Sequence, residues 1–184
     1  MISVFYIIKT LLTAFMYVFI LRLWMHYIRA SYYNPFTQFI VNVTQPILNP
    51  LKKIIPNFKQ IDLSAAFVIY LVGLIKVTFI LRYGFGAPIW QMKYVLFAFY
   101  SVLSAAGHLI FWLLLARAIL SWITHGHSAA DDVLSQLTEP LVQPIRRIIP
   151  PLGHLDLSFM VFVFVLMALN LVAYDVFGYV WGIK

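Results

Sequence analysis

Four polar side chains stand inside otherwise apolar stretches: Lys9, Lys76, His108 and Asn170. A charge at the centre of a hydrocarbon layer costs roughly 2.5–3.5 kcal/mol on insertion scales, so an intramembrane lysine is a functional candidate by default. At ~1.5 Å of rise per residue, Lys76 falls ~18 Å along its helix from Ser64, and Lys9 and His108 fall roughly 20 Å from the same end of theirs. With Asn170, these residues define a candidate intramembrane polar layer. Its chemistry is limited by sign. All six acids, Asp62, Asp131, Asp132, Glu139, Asp156 and Asp175, lie at the ends of apolar runs or between them. The layer therefore lacks a carboxylate for a proton relay or a side-chain cation site. A path lined by backbone carbonyls needs no acid and stays open. So does a structural reading, in which the lysines snorkel to the near surface while His108 and Asn170 bond neighbouring helices.

Other chemistries find less support. His125 and His127 flank Gly126 without a third ligand at metal-binding spacing. The absence of cysteine removes thiolate nucleophiles and disulfides. No nucleophile elbow, phosphate loop, dinucleotide fingerprint or zincin motif is present. Neither an enzymatic activity nor a cofactor or metal is expected. The net charge of +7 would suit nucleic acid, yet no basic tail or aromatic RNA-binding motif exists to use it, and no nucleic-acid partner is expected.

The elements that must position these residues are membrane spans. With 63% hydrophobic and 10% charged residues, the chain is far from the balance of a soluble domain. The apolar runs 2–25, 63–81, 94–123 and 157–179 each reach the ~20 residues needed to cross a hydrocarbon core. The first is longer than a cleavable signal and ends in Trp24-Met25-His26, which marks a retained helix. Basic residues outside the spans set the orientation. The first connection carries Arg29, Lys52, Lys53 and Lys59, the third Arg146 and Arg147, and the second only Arg82 and Lys93. By the positive-inside rule the first and third connections are cytoplasmic and both termini lie outside.

The chain also repeats itself. Residues 44–64 align without gaps with 138–158, and nine of the 21 pairs are identical. Both proline pairs recur, Pro46 and Pro50 with Pro140 and Pro144, as do the basic pairs Lys52-Lys53 and Arg146-Arg147. Upstream, Arg22 matches Arg117 after a one-residue gap. The expected fold is an all-α membrane protein of four transmembrane helices in two tandem parallel repeats. Repeat 1 covers residues 1–92, with spans near 2–29 and 63–84 and an interfacial segment at 34–57. Repeat 2 covers 93–184, with spans near 93–124 and 157–181 and an interfacial segment at 129–151. Two spans per unit place both units in the same orientation, related by a pseudo-two-fold axis along the membrane normal.

Within the first interfacial segment, Asn34-Pro35 reads as an N-cap followed by proline at the first helical position. Phe36, Phe39, Ile40, Val43 and Ile47 then recur at helical spacing, as expected of an amphipathic helix lying in the interface. Pro46 and Pro50 each remove a backbone donor, which predicts a break near Thr44. Lys52, Lys53, Arg146 and Arg147 would then meet anionic lipid phosphates or a protein partner. A re-entrant loop is the alternative. Arg22 with Asp62, and Arg117 with Asp156, are expected to close each hairpin as ion pairs or through bonds to loop carbonyls. Asp62 or Ser64, and Asp156 or Ser158, would also cap the helices that follow. Ser101, Ser104, Ala105 and Gly107 suggest a close helix contact.

The segment Tyr33-Asn34-Pro35-Phe36, followed by Thr44-Gln45-Pro46 and by 50–56, resembles the hallmark of the YggT family. The second copy at 140–150 is similar to its bacterial double-repeat form. The resemblance implies a small multi-pass protein of the bacterial inner membrane without established enzymatic activity. It further implies roles in osmotic-stress tolerance and ion uptake, in division-associated membrane organisation or, among plastid relatives, in haem-protein assembly. Two main readings follow. One is a non-catalytic scaffold or assembly factor whose cytoplasmic amphipathic loops bind membrane lipids, membrane-protein partners or a second copy. The alternative is ion transport along the repeat interface past Lys76 and Asn170. Haem handling through His108 or His154 is a third.

Overall fold

The computed structural model describes residues 2–56, 60–124, 128–148, 157–178 and 181. They form six helices: α1 (Ile2–Tyr27), α2 (Pro35–Lys52), α3 (Leu63–Phe85), α4 (Lys93–Thr124), α5 (Ala129–Ile148) and α6 (Leu157–Phe177). Four of these, α1, α3, α4 and α6, are long and apolar enough to cross a membrane. The two shorter ones fall in the basic connections.

Helix ends follow local chemistry. Asn34 Oδ1 accepts from the Phe36 amide at 2.9 Å and Pro35 opens α2, so the cap expected from Asn34-Pro35 forms. Asp62 caps α3 by accepting from the Ala65 amide at 3.2 Å. Gly86 ends α3 in the left-handed region at φ 66°, where glycine carries no side-chain penalty. Ser128 and Asp131 open α5 with reciprocal bonds, each side chain accepting from the other's amide.

The expected break near Thr44 does not occur. α2 runs unbroken through Pro46 and Pro50, and α5 through Pro140 and Pro144. The carbonyls that lose their donors belong to Asn42 and Pro46 in α2 and to Gln136 and Pro140 in α5, and all four residues are exposed. Polar surroundings can satisfy them there at little cost. On the opposite, buried side the Thr44 hydroxyl donates to the Ile40 carbonyl at 2.7 Å and Thr138 donates to Leu134 at 2.6 Å. Thr44 therefore supports the helix from inside instead of capping a new turn.

α3 is the best-packed helix, held between α1 and α4. The main core joins Met16, Phe19 and Met25 of α1 to Val68 and Val72 of α3, Ile40 and Leu48 of α2, and Leu137 of α5. A second cluster, Val77, Ile80, Leu81 and Tyr94, closes the far end of α3. α6 contributes to neither among the described residues and leans lightly on α4 and α5. The small residues of α4 serve its contact with α3, since Ser101, Ser104 and Ala105 are buried and Gly73 faces this helix. A Cβ on Gly73 would stand 3.0 Å from Val102 Cγ2 and 3.3 Å from the Ala98 carbonyl oxygen. Gly73→Val is therefore expected to destabilise the protein by about 1–3 kcal/mol through overpacking. Gly107→Ala should be nearly neutral, because a Cβ there meets nothing within 4 Å. Thermal unfolding in detergent checks both, and equal midpoints for the two variants would contradict the close α3–α4 approach.

Candidate functional site

The charged residues of the first connection meet where α1, α2 and α3 converge. Asp62 is fully buried, and its Oδ2 lies 2.7 Å from Lys52 Nζ, off the direction of a good hydrogen bond. The expected partner, Arg22, is not engaged. Its side chain is 8% exposed, its Nε is buried, and it has no hydrogen-bond or ion-pair partner among the described residues. Lys52 wins because it ends α2 directly over the α3 N-cap, whereas Arg22 projects from α1 one turn before His26. His26 lies in the joint field of Asp62, Arg22 and Lys52.

The third connection solves the same problem differently. Arg117 donates from one guanidinium nitrogen to Thr138 Oγ1 at 2.6 Å and from the other to Glu139 Oε2 at 3.1 Å. Glu139 Oε1 also accepts from Arg146 at 2.6 Å. Its acid is thus Glu139 on α5. Asp156, expected to pair with Arg117, lies outside the described residues, as do Lys59, His125, His127 and His154. Of the four basic residues expected to meet lipid or a partner, Lys52 and Arg146 sit in ion pairs, while Lys53 and Arg147 are exposed.

α2 and α5 bury the same aligned face, Thr37, Thr44 and Leu48 matching Asp131, Thr138 and Val142, but α5 hides part of a second one. On α2 the stripe Phe36, Phe39, Val43 and Ile47 faces outward, with Phe39 61% exposed, while Thr37, Ile40, Thr44 and Leu48 turn inward. The aligned stripe of α5 is Ala130, Val133, Leu137 and Leu141. There Val133 is only 1% exposed and Leu137 is buried as well. The two helices touch through cross-connections, in which Asn34 Nδ2 donates to the Ala129 carbonyl and the Ser31 amide to Gln136 Oε1.

The four intramembrane polar residues fall into two pairs. Lys76 on α3 is 2% exposed and feels the charge of Lys9 on α1, whose ammonium lies 5.5 Å from the Tyr6 ring centroid. His108 and Asn170 instead line a cleft of about 560 Å³ between α4 and α6, together with Ser104, Gly107, Trp112 and Trp181. His108 Nδ1 is 2.8 Å from the Ser104 carbonyl oxygen, and Asn170 Oδ1 accepts from Trp181 Nε1 at 2.9 Å. The cleft is largely apolar and neither lysine lines it.

Two helical connections with matching basic ends, each tied back to an arginine-bearing span or to the next helix, are the distinguishing features of the chain. The CCB3/YggT family model matches residues 1–83 and 96–177. The chain belongs to the CCB3/YggT family. It is 43% identical over 180 residues to an uncharacterized Vibrio alginolyticus protein in the proC 3′ region, covering 97% of each chain. It is 38% identical over 166 residues to the uncharacterized Escherichia coli K12 protein YggT, covering 90% of this chain and 86% of that one. An uncharacterized Haemophilus influenzae protein is 40% identical over 164 residues, covering 89% of this chain and 87% of its own. No solved structure matches.

Several contacts of this CCB3/YggT chain escape a reading by residue type. Trp24 Nε1 donates to the Leu137 carbonyl at 3.2 Å and ties α1 to α5, although nothing about Trp24 in sequence distinguishes it from other membrane tryptophans. Glu139 was visible as the partner of Gln45 in the repeat alignment. The loss or gain of a carboxylate at matched positions is the signal that identifies it.

Proposed function

We propose that the chain is a non-catalytic scaffold or assembly factor of the bacterial inner membrane, and that α2 is its principal membrane-engaging surface. Two tandem parallel repeats, both termini outside and the basic connections cytoplasmic complete this reading; the two stretches matched by one family model support the duplication. The observation that carries it is the outward apolar stripe Phe36-Phe39-Val43-Ile47 beside exposed Lys53, on a helix whose inner face holds threonines. An amphipathic helix with an apolar outer face and basic flanks lies stably only at an interface, where the apolar side enters acyl chains and the cations meet anionic headgroups. α5 keeps Val133 and Leu137 of its matching stripe against the protein, which suits it to holding α2 and α4 in place.

Single cysteines can be introduced freely because the chain has none. A fluorophore on Phe39→Cys in vesicles should be quenched by nitroxide-labelled lipid, and unquenched fluorescence would reject α2 as an interfacial helix. Lys53→Cys should react with an impermeant maleimide only from the cytoplasmic side, and Trp90→Cys, in the exposed second connection, only from outside. A reversed pattern would overturn the orientation. Crosslinking from position 39 in native membranes should recover lipid or a reproducible protein partner; recovery of neither would count against a scaffold.

A further inference from the structure

The three acids of α5 have neutral counterparts on α2. In the alignment Asp131 stands against Thr37, Asp132 against Gln38, and Glu139 against Gln45. The basic positions survive, with Arg22 for Arg117, Lys52 for Arg146 and Lys53 for Arg147. The third connection thus neutralises its arginine internally, through Thr138 and Glu139. The first keeps the arginine and has lost the carboxylate. Gln45 is exposed, and the Thr44 hydroxyl points to the Ile40 and Val41 carbonyls. Among the described residues the acid close by is Asp62, which is held by Lys52 and by the start of α3. Arg22 is left more than nine-tenths buried with its Nε unpartnered, and elsewhere on α2 Thr37 Oγ1 is likewise buried without a partner.

A guanidinium stays protonated at any physiological pH, and arginine is almost never so buried unless paired. Its planar fork matches phosphate oxygens in bidentate fashion. We propose that Arg22 is the anchor of a phosphate-binding site at the junction of α1 and α2, filled by an oxyanion in the place that Glu139 occupies beside Arg117. His26, one turn on, and Lys52 stand at its side. The source that fits best is the phosphodiester of an anionic phospholipid, because α2 packs against α1 here and carries on its far side an outward apolar stripe that would rest among acyl chains. This rests on the interfacial reading of α2. The site is specific to the first repeat, and the second is closed by its own carboxylate.

The test uses the full chain, purified and delipidated in detergent, and native mass spectrometry with phosphatidylglycerol and with phosphatidylcholine as control. The wild type should retain one phosphatidylglycerol in preference to phosphatidylcholine. Arg22→Gln should bind it roughly tenfold more weakly or worse, and Lys93→Gln, a change at an exposed cation at the other end of the bundle, should bind nearly as the wild type does. Gln45→Glu removes no buried group and supplies the missing carboxylate from within. It should lower phosphatidylglycerol affinity as Arg22→Gln does, while raising the thermal midpoint. A parallel arm adds inorganic phosphate at constant ionic strength. Stabilisation by phosphate that disappears in both variants would assign the site to a free anion, whereas a response to lipid alone assigns it to the headgroup. Equal retention by wild type, Arg22→Gln and Gln45→Glu overturns the site. Loss of nitroxide quenching at position 39 with the Arg22 dependence intact would instead overturn only the interfacial placement of α2.

Discussion

Lys76→Met is expected to raise the thermal midpoint of the detergent-solubilised protein by about 4–8 °C, the equivalent of ~2 kcal/mol. Lys76 lies on α3 with 2% of its residue surface exposed. It has no hydrogen bond or ion pair among the described residues, and the charge it feels, Lys9, has the same sign. Methionine keeps the length and volume of the stem and removes the charge, the kind of replacement that is neutral or stabilising when a buried ion lacks compensation. An unchanged or lower midpoint would show that the ammonium is satisfied and defeat the argument. The same variant separates the two functional readings. A scaffold keeps its lipid and partner contacts without Lys76, whereas an ion path past Lys76 would change its flux in sealed vesicles. A gain in stability with loss of flux is the signature of a charge retained for use.

Asp62→Ala should act in the opposite direction, with a loss of about 2–4 kcal/mol. The substitution removes the cap on the Ala65 amide and strands Lys52, whose ammonium would keep only water at an end of the bundle where Asp62 itself is fully buried. Asp62→Asn preserves an acceptor for the cap and deletes only the charge, so it should recover part of the loss. Adding Lys52→Met to Asp62→Asn should recover more, since neither charge then remains unpaired. Strictly additive effects of the two substitutions would deny the coupling that the 2.7 Å approach implies.

The spans were legible because length and apolarity alone specify them, and the structure places α1, α3, α4 and α6 within a few residues of the runs read from sequence. The cap at Asn34 and the cap at Asp62 were legible because an N-cap is a local event. The continuity of α2 was not. A proline penalty was read residue by residue, whereas the outcome depends on which face the freed carbonyls occupy, and at Asn42 and Pro46 that face is exposed. Pairing of Arg22 with Asp62 failed for a related reason. Arg22 and Asp62 do come to one junction, yet Lys52 reaches Asp62 first, and rotation about a helix axis cannot be read from position along it. The shared layer of Lys9, Lys76, His108 and Asn170 met the same difficulty, since similar heights on four helices do not select a common facing side. The α4–α6 cleft depends on how far two helices separate, a quantity with no local sequence signature.

The slight packing of α6 has a consequence for how the chain is built. Both core clusters draw on residues up to Leu137, so the buried interior can close before the last span leaves the ribosome. What α6 adds is a separate leaf that touches α4 across the cleft, with Trp181 folded back to donate to its own Asn170. During biogenesis that leaf arrives at a finished five-helix platform. The order of synthesis thereby leaves the α4 surface briefly open to helices of other membrane proteins inserted beside it.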